Sequence, residues 1–300
     1  AVDIENVEGS ENEVDLTVRL TEQNLNQLTF GAGVSQFDGF FGQLSFATMN
    51  FLGRGENLNI SFQKGSRLSN TNLGYTKPYI FHRNISAGIN LFSRRIEWMG
   101  AYSEDSRGGG LTLGRPLALF TRLFVTYSYE GTSVSDVNPM FFDNPEMLIG
   151  NPFFQDGLLL ESQGRRTVSK IAPSVQHDTI DHPIFPTSGK RYSATMEFAG
   201  VGGNTKFLQP ILEGTWFFSH TSRTIVGIRT QFQYISTANP GRLPIFERLW
   251  LGGEFTIRGF DMRRIGPTVG DLNPEDVDPN SYRGKMVIGG NKSFLFNGEY

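Results

Sequence analysis

The chain has 300 residues, 27 basic and 30 acidic side chains for a net charge of −3, 13 % aromatic residues and no cysteine. That balance lacks the basic stripe of a nucleic-acid binder, and the missing cysteine excludes disulfides, thiolate metal centres and a Cys nucleophile. No apolar run reaches the length of a membrane-spanning helix.

In chain order, "NEVDLTVRLTEQ" (12–23) alternates weakly, with Val14, Leu16, Val18 and Leu20 on one side among acidic residues. It reads as one strand of a small soluble domain whose remainder lies upstream, so residues 1–23 are set apart from 24–300. From there, period-two alternation dominates. Leu58, Ile60 and Phe62 alternate with Asn57, Asn59, Ser61 and Gln63; Leu123, Val125, Tyr127 and Tyr129 alternate with polar neighbours; Tyr192, Ala194, Met196 and Phe198 alternate with Arg191, Ser193, Thr195 and Glu197. The pattern predicts twelve strands, near 25–35, 39–51, 55–65, 68–77, 84–93, 107–115, 119–130, 166–177, 189–200, 205–218, 223–236 and 287–300. Most connections are short and rich in turn residues, such as "FLGRGE" (51–56) and "HPIFPTSGK" (182–190). Two are long, at about 131–164 and 236–285.

A fold with one apolar and one polar face per strand is either a soluble sandwich or propeller, or a membrane barrel with its apolar face on lipid and its polar face on the lumen. Strand lengths near the nine to eleven residues of a tilted span, aromatics at strand ends (Tyr79, Phe81, Trp216, Phe218), and short turns alternating with long loops all favour the barrel. No 40–50-residue repeat supports a propeller.

The second long connection holds "GGEFTIRGF" (252–260), with a single arginine between Ile257 and Gly259. An arginine so placed needs a fixed acidic partner, or it is an ordinary solvated loop charge. Elsewhere, "QHDTIDHP" (176–183) clusters two His and two Asp, but the spacing fits no metal-ligand pattern and suits an Asp- and Pro-rich turn. "GDLNPEDVDPNS" (270–281) lacks the ligand order of a calcium loop. "PTSGKR" lacks the leading glycines of a phosphate loop, and no nucleophile sits in a catalytic context. The expectation is no metal, no cofactor and no enzymatic activity. "NPMFFDNPEMLIGNPFF" (138–154) fits equally a surface helix, an interaction loop or a cap on a barrel mouth.

Ile257, Arg258, Gly259 and Phe260 resemble the signature loop motif of the Omp85 superfamily of outer-membrane barrels. "MNFLGRGENLNISF" (49–62), "DHPIFPTSGKRYSATMEFAG" (181–200) and "IGGNKSFLFNGEY" (288–300) resemble its early hairpin, mid-barrel turn and the strand after its sixth external loop. The N-terminal strand resembles the end of a POTRA domain, a periplasmic module of the family. The resemblance implies an all-β antiparallel transmembrane barrel of roughly sixteen strands, of which about twelve are present and the closing strands are missing. It implies that the sixth loop folds into the lumen, where Arg258 pairs with Glu299. A guanidinium fork suits a carboxylate, Gly259 would let the backbone approach the wall, and Ile257 and Phe260 would pack on the lumen side. One-sided loss of such a pair costs about 3–5 kcal/mol if it is buried. The implied function is insertion and folding of barrel proteins into the outer membrane, POTRA side in the periplasm. Its partners would be unfolded outer-membrane proteins, accessory assembly lipoproteins and the lipid bilayer. Its route would be a lateral seam at the first strand (Leu28, Phe30, Gly31, Gly33), whose glycines would loosen the register. A secretion or translocation pore of the same superfamily is the alternative, and a passive porin is a third reading.

Overall fold

A computed structural model of the chain describes residues 2–6, 14–18, 25–35, 38–98, 102–136, 164–221, 223–237, 243–269, 286–287 and 289–300. Strands β1 (Val2–Asn6) and β2 (Val14–Val18) pair with each other in a separate two-stranded sheet. The weak alternation of 12–23 therefore yields a strand with a local antiparallel partner that the sequence reading did not assign.

The remaining long strands are β3 (Asn26–Ser35), β4 (Gly39–Phe51), β5 (Glu56–Gly65), β6 (Leu68–Lys77), β7 (Ser86–Trp98), β8 (Tyr102–Ala118), β9 (Thr121–Ser135), β10 (Gly164–Asp178), β11 (Gly189–Ala199), β12 (Phe207–Ser219) and β13 (Ile225–Tyr234). Two short strands, β14 (Thr268–Val269) and β15 (Met286–Val287), pair within the long connection, and β16 (Lys292–Glu299) follows it. Strands β3 to β13 and β16 form one antiparallel twelve-stranded sheet in which each strand pairs with its predecessor and β16 pairs with β13. Its edges are β3 and β16.

The registers explain the alternation. Directly opposed residues share a face, so the apolar positions join into circumferential rows: Phe30–Leu44–Phe62, Ile89–Leu111–Tyr127–Ile171–Phe198–Leu208, and Leu212–Phe232–Phe294. The opposite face carries rows such as Gln43–Gln63–Asn70–Arg94–Ser106–Thr132. Cross-strand hydrogen bonds on that face include Asn90–Asn72 at 2.9 Å and Ser174–Thr195 at 2.8 Å.

Only eight hydrophobic side chains are buried among the described residues, too few for the core of a soluble sandwich of this size. The apolar rows instead stand exposed, Phe30 at 75 % and Phe294 at 66 %. A continuous apolar band of that extent needs a bilayer as its solvent. The backbone ladder runs unbroken from β3 to β16, so interior strands carry no unpaired edge into hydrocarbon. Trp216 and Tyr192 close the band near the short turns, in an edge-to-face contact of 5.5 Å with an indole-to-phenol hydrogen bond of 2.8 Å. Such amphipathic rings belong at the headgroup level.

Three strands run farther than alternation indicates. β7 continues to Trp98 beyond the expected 84–93, β8 begins at Tyr102 rather than 107, and β9 ends at Ser135 rather than 130. The charges that interrupt the apolar pattern lie beyond the band and pair across strands: Arg94 with Glu104 (3.7 Å) and Glu130 (3.6 Å), Arg95 with Asp105 (3.7 Å) and Asp136 (3.6 Å). The segment 138–154 lies outside the described residues.

Candidate functional site

The site is built from the described parts of the long connection, 235–237, 243–269 and 289–291, which lie on the polar face of the sheet. Its first leg, Leu243–Leu251, contains a short 3-10 turn at Ile245–Glu247. Leu243 and Ile235 form an apolar cluster with Val168 and Phe207 of the wall, flanked by Ala199, Phe246 and Leu249. Val168 stands opposite Glu130 on β9, on the polar side. The loop therefore covers the inner face, which fixes which side of the sheet is the lumen. Lys170 Nζ lies 3.1 Å from Glu247 and 3.3 Å from Glu197, and 5.2 Å from the Phe207 ring centroid. Burial pushes the Glu247 carboxyl above its ordinary range. Burial also pushes the Arg248 guanidinium down to about 10; its Nε donates to the Leu243 carbonyl at 3.4 Å.

The tip, residues 251–265, closes on itself. Leu251 and Ile265 exchange backbone hydrogen bonds at 3.0 Å, and the Gly253 N–H donates to the Phe260 carbonyl at 2.9 Å. Thr256 Oγ accepts from the Gly252 N–H and donates to the Gly252 carbonyl, both at 2.9 Å. Gly252 has φ of +104°, and a β-carbon there would meet the Asp261 carbonyl at 2.3 Å. No other residue type fits that position.

Three polar contacts seat the tip on β13 and β16. Arg229 donates to the Phe255 carbonyl at 3.2 Å, Asn297 Nδ2 donates to the Thr256 carbonyl at 2.9 Å, and Arg258 Nη2 lies 3.1 Å from Glu299 Oε1. Arg229 and Asn297 are directly opposed on neighbouring strands. On the far side of the tip, Arg263 donates to the Tyr102 hydroxyl at 2.8 Å, and its guanidinium sits 3.3 Å from the Trp98 ring centroid. This cation–π contact ties the loop to the β7–β8 hairpin.

The structure thus brings Arg258 and Glu299 together, yet corrects three details of the sequence reading. The pair is exposed, at 77 % and 66 % of side-chain surface, so the buried-pair energy does not apply. Gly259 has φ of +87°, and a β-carbon there would meet nothing within 4 Å; its glycine serves the left-handed backbone, not a close approach to the wall. Phe260 is 46 % exposed and Ile257 is half-buried. The sequence reading missed Arg229, Asn297, Thr256, Arg263, Lys170 and Glu247. The inward positions of Asn297, Arg229 and Lys170 follow from alternation along their strands, whereas Thr256, Arg263 and Glu247 lie on the loop and are brought in by tertiary folding.

At the sheet edge, Leu28 and Phe30 stand on the outer face and Gly31 and Gly33 on the inner one. β3 pairs with β4 over an uninterrupted register from Asn26↔Thr48 to Ser35↔Gly39. The Phe41 ring fills the space over Gly33, 2.9 Å from where a β-carbon would stand. The Asp- and His-rich turn is structural: Asp178 pairs with Arg191 at 2.7 Å, and His182 Nδ1 accepts the Phe185 N–H at 2.9 Å. The acidic stretch 270–281 lies outside the described residues.

A twelve-stranded antiparallel transmembrane sheet with a loop folded onto its inner face is the architecture of an outer-membrane β-barrel. The Omp85 superfamily domain matches residues 50–300, and the chain belongs to that superfamily. It is similar to outer membrane protein assembly factor BamA of Nitratidesulfovibrio vulgaris, 26 % identical over 97 % of this chain and 34 % of the relative. BamA of Neisseria meningitidis serogroup B is 24 % identical over 95 % of this chain and 35 % of its own length. The chain thus spans about a third of these relatives. A crystal structure of Haemophilus ducreyi BamA lacking POTRA domains 1–3 shares the fold, with a TM-score of 0.72 at 20 % identity, covering 97 % of this chain and 56 % of that one.

Proposed function

We propose that this chain is the barrel part of an insertase that folds β-barrel proteins into the outer membrane. The observation that carries the reading is the seating of the Arg258 tip on the β13–β16 wall, in a superfamily member whose relatives are named assembly factors. In this reading β3, the first strand of the large sheet, forms one side of a lateral seam. Its backbone N–H and C=O groups are a template for an incoming strand. A loop seated across the inner face makes a wide passive pore a poor use of the lumen. Residues 1–23 are read as the end of a POTRA domain facing the periplasm, and unfolded outer-membrane proteins and accessory lipoproteins as partners. No ATP is required, because the product's own folding free energy drives insertion.

The test is to reconstitute the full-length parent in liposomes and time the folding of a urea-denatured outer-membrane protein against empty liposomes. Acceleration that is lost in Arg258→Ala supports the insertase. No acceleration, with passage of an unfolded polypeptide instead, supports the secretion pore.

A further inference from the structure

We infer that Lys170 is a second positioning residue of the lumenal loop: with Glu247 it anchors the loop's first leg on the wall away from Arg258. The inference rests on the insertase reading for its meaning but not for its geometry. Lys170 projects from β10, and three strands, β11, β12 and β13, separate β10 from β16. The loop is therefore held at two distant places on the wall. The two anchors differ in kind. Arg258 and Glu299 meet in the open, whereas the side chains of Lys170 and Glu247 retain 19 % and 11 % of their surface.

The Lys170 anchor also has an apolar surround. Phe207 lies under the ammonium, and Val168, Ile235 and Leu243 pack beside it. Two carboxylates, Glu247 and Glu197, share the one ammonium. Removing it would leave two partly buried like charges, at 11 % and 22 % of side-chain surface, without a counter-ion, which tends toward the costly one-sided case. Removing Arg258 would leave only an exposed carboxylate, which water satisfies. The first leg is thus one pedestal, and the tip beyond Gly252 is seated separately, on β13 and β16 through Arg229, Asn297 and Glu299 and on the β7–β8 hairpin through Arg263. Lys170 acts through the leg, by setting where the tip starts from.

The experiment reads tip position directly, without substrate. Residues 1–300 have no native cysteine, so once any cysteine elsewhere in the full-length parent is replaced, spin labels at Glu254→Cys on the tip and Asn59→Cys on the inner face of β5 report one distance in liposomes. Lys170→Met should broaden that distance distribution by about twofold or more. Glu247→Gln, which leaves Lys170 with Glu197, should broaden it as well and reads the anchor even if Lys170→Met folds poorly. The exchanged pair K170E/E247K should narrow it again. An unchanged distribution in Lys170→Met or Glu247→Gln, or an exchanged pair that stays broad, would overturn the anchor. Failure of the anchor leaves liposome insertion as it was. Failure of insertion with a normally placed tip would overturn the function and leave the anchor standing.

Discussion

Arg258 and Glu299 meet at 3.1 Å but in the open. Exposed ion pairs contribute about 0–1 kcal/mol because solvent screens them and two long side chains must be held still. A double-mutant cycle with Arg258→Ala and Glu299→Gln, read by urea unfolding of the full-length protein, should therefore give a coupling below about 1 kcal/mol. A coupling of several kcal/mol would show the pair to be desolvated. Asp181 makes a different case. The Thr187 hydroxyl foremost, and the N–H groups of Ser188, Thr187 and His182, hold its carboxyl well below the ordinary carboxylate range. A depressed folded-state pKa means the contribution is present above the unfolded value and is lost only as pH falls through the folded one. The 179–188 turn should hence stay ordered at pH 4, and Asp181→Ala should speed hydrogen exchange at Thr187 and Ser188 at neutral pH. The Arg258–Glu299 pairing was legible only through the resemblance of the motif, and of the strand after it, to the Omp85 superfamily. Lys170 with Glu247 was not, because 77 residues separate them and neither stands in a recognisable pattern.

Among elements, alternation gave the twelve strands of the large sheet but their ends less well. Period two reports where lipid lies on one face. It falls silent where a strand leaves the apolar band, as β7 and β8 do at Arg94–Trp98 and Tyr102–Ser106. There, cross-strand ion pairs and the Trp98 indole donating to Glu104 at 3.0 Å continue the ladder. Turn chemistry was more exact. The "PTSGK" step is needed because Gly189 has φ of +111° and a β-carbon would meet the Thr179 carbonyl at 2.3 Å. Gly189→Ala should destabilise the β10–β11 hairpin, costing about 1–3 kcal/mol; a lowered unfolding midpoint checks this. The same substitution at Gly298, with nothing within 4 Å, should change the midpoint little.

For the whole molecule, a hydrophobic fraction of 38 % goes with only a small buried apolar cluster among the described residues. The apolar residues face outward and the polar ones inward, with the long loop supplying a small lumenal cluster around Val168, Phe207, Ile235 and Leu243. In the proposed function β3 is the strand that receives the substrate, since an incoming strand can add to it only through backbone hydrogen bonds in register. The most direct measurement is disulfide trapping during insertion, with single cysteines placed successively from Asn26 to Ser35 and single cysteines along the last strand of a substrate barrel. The account predicts cross-links that step along β3 in one antiparallel register, each β3 position choosing one substrate position. Cross-links that fall instead on the lumenal tip around Arg258, with none along β3, would contradict it and assign the chain to translocation.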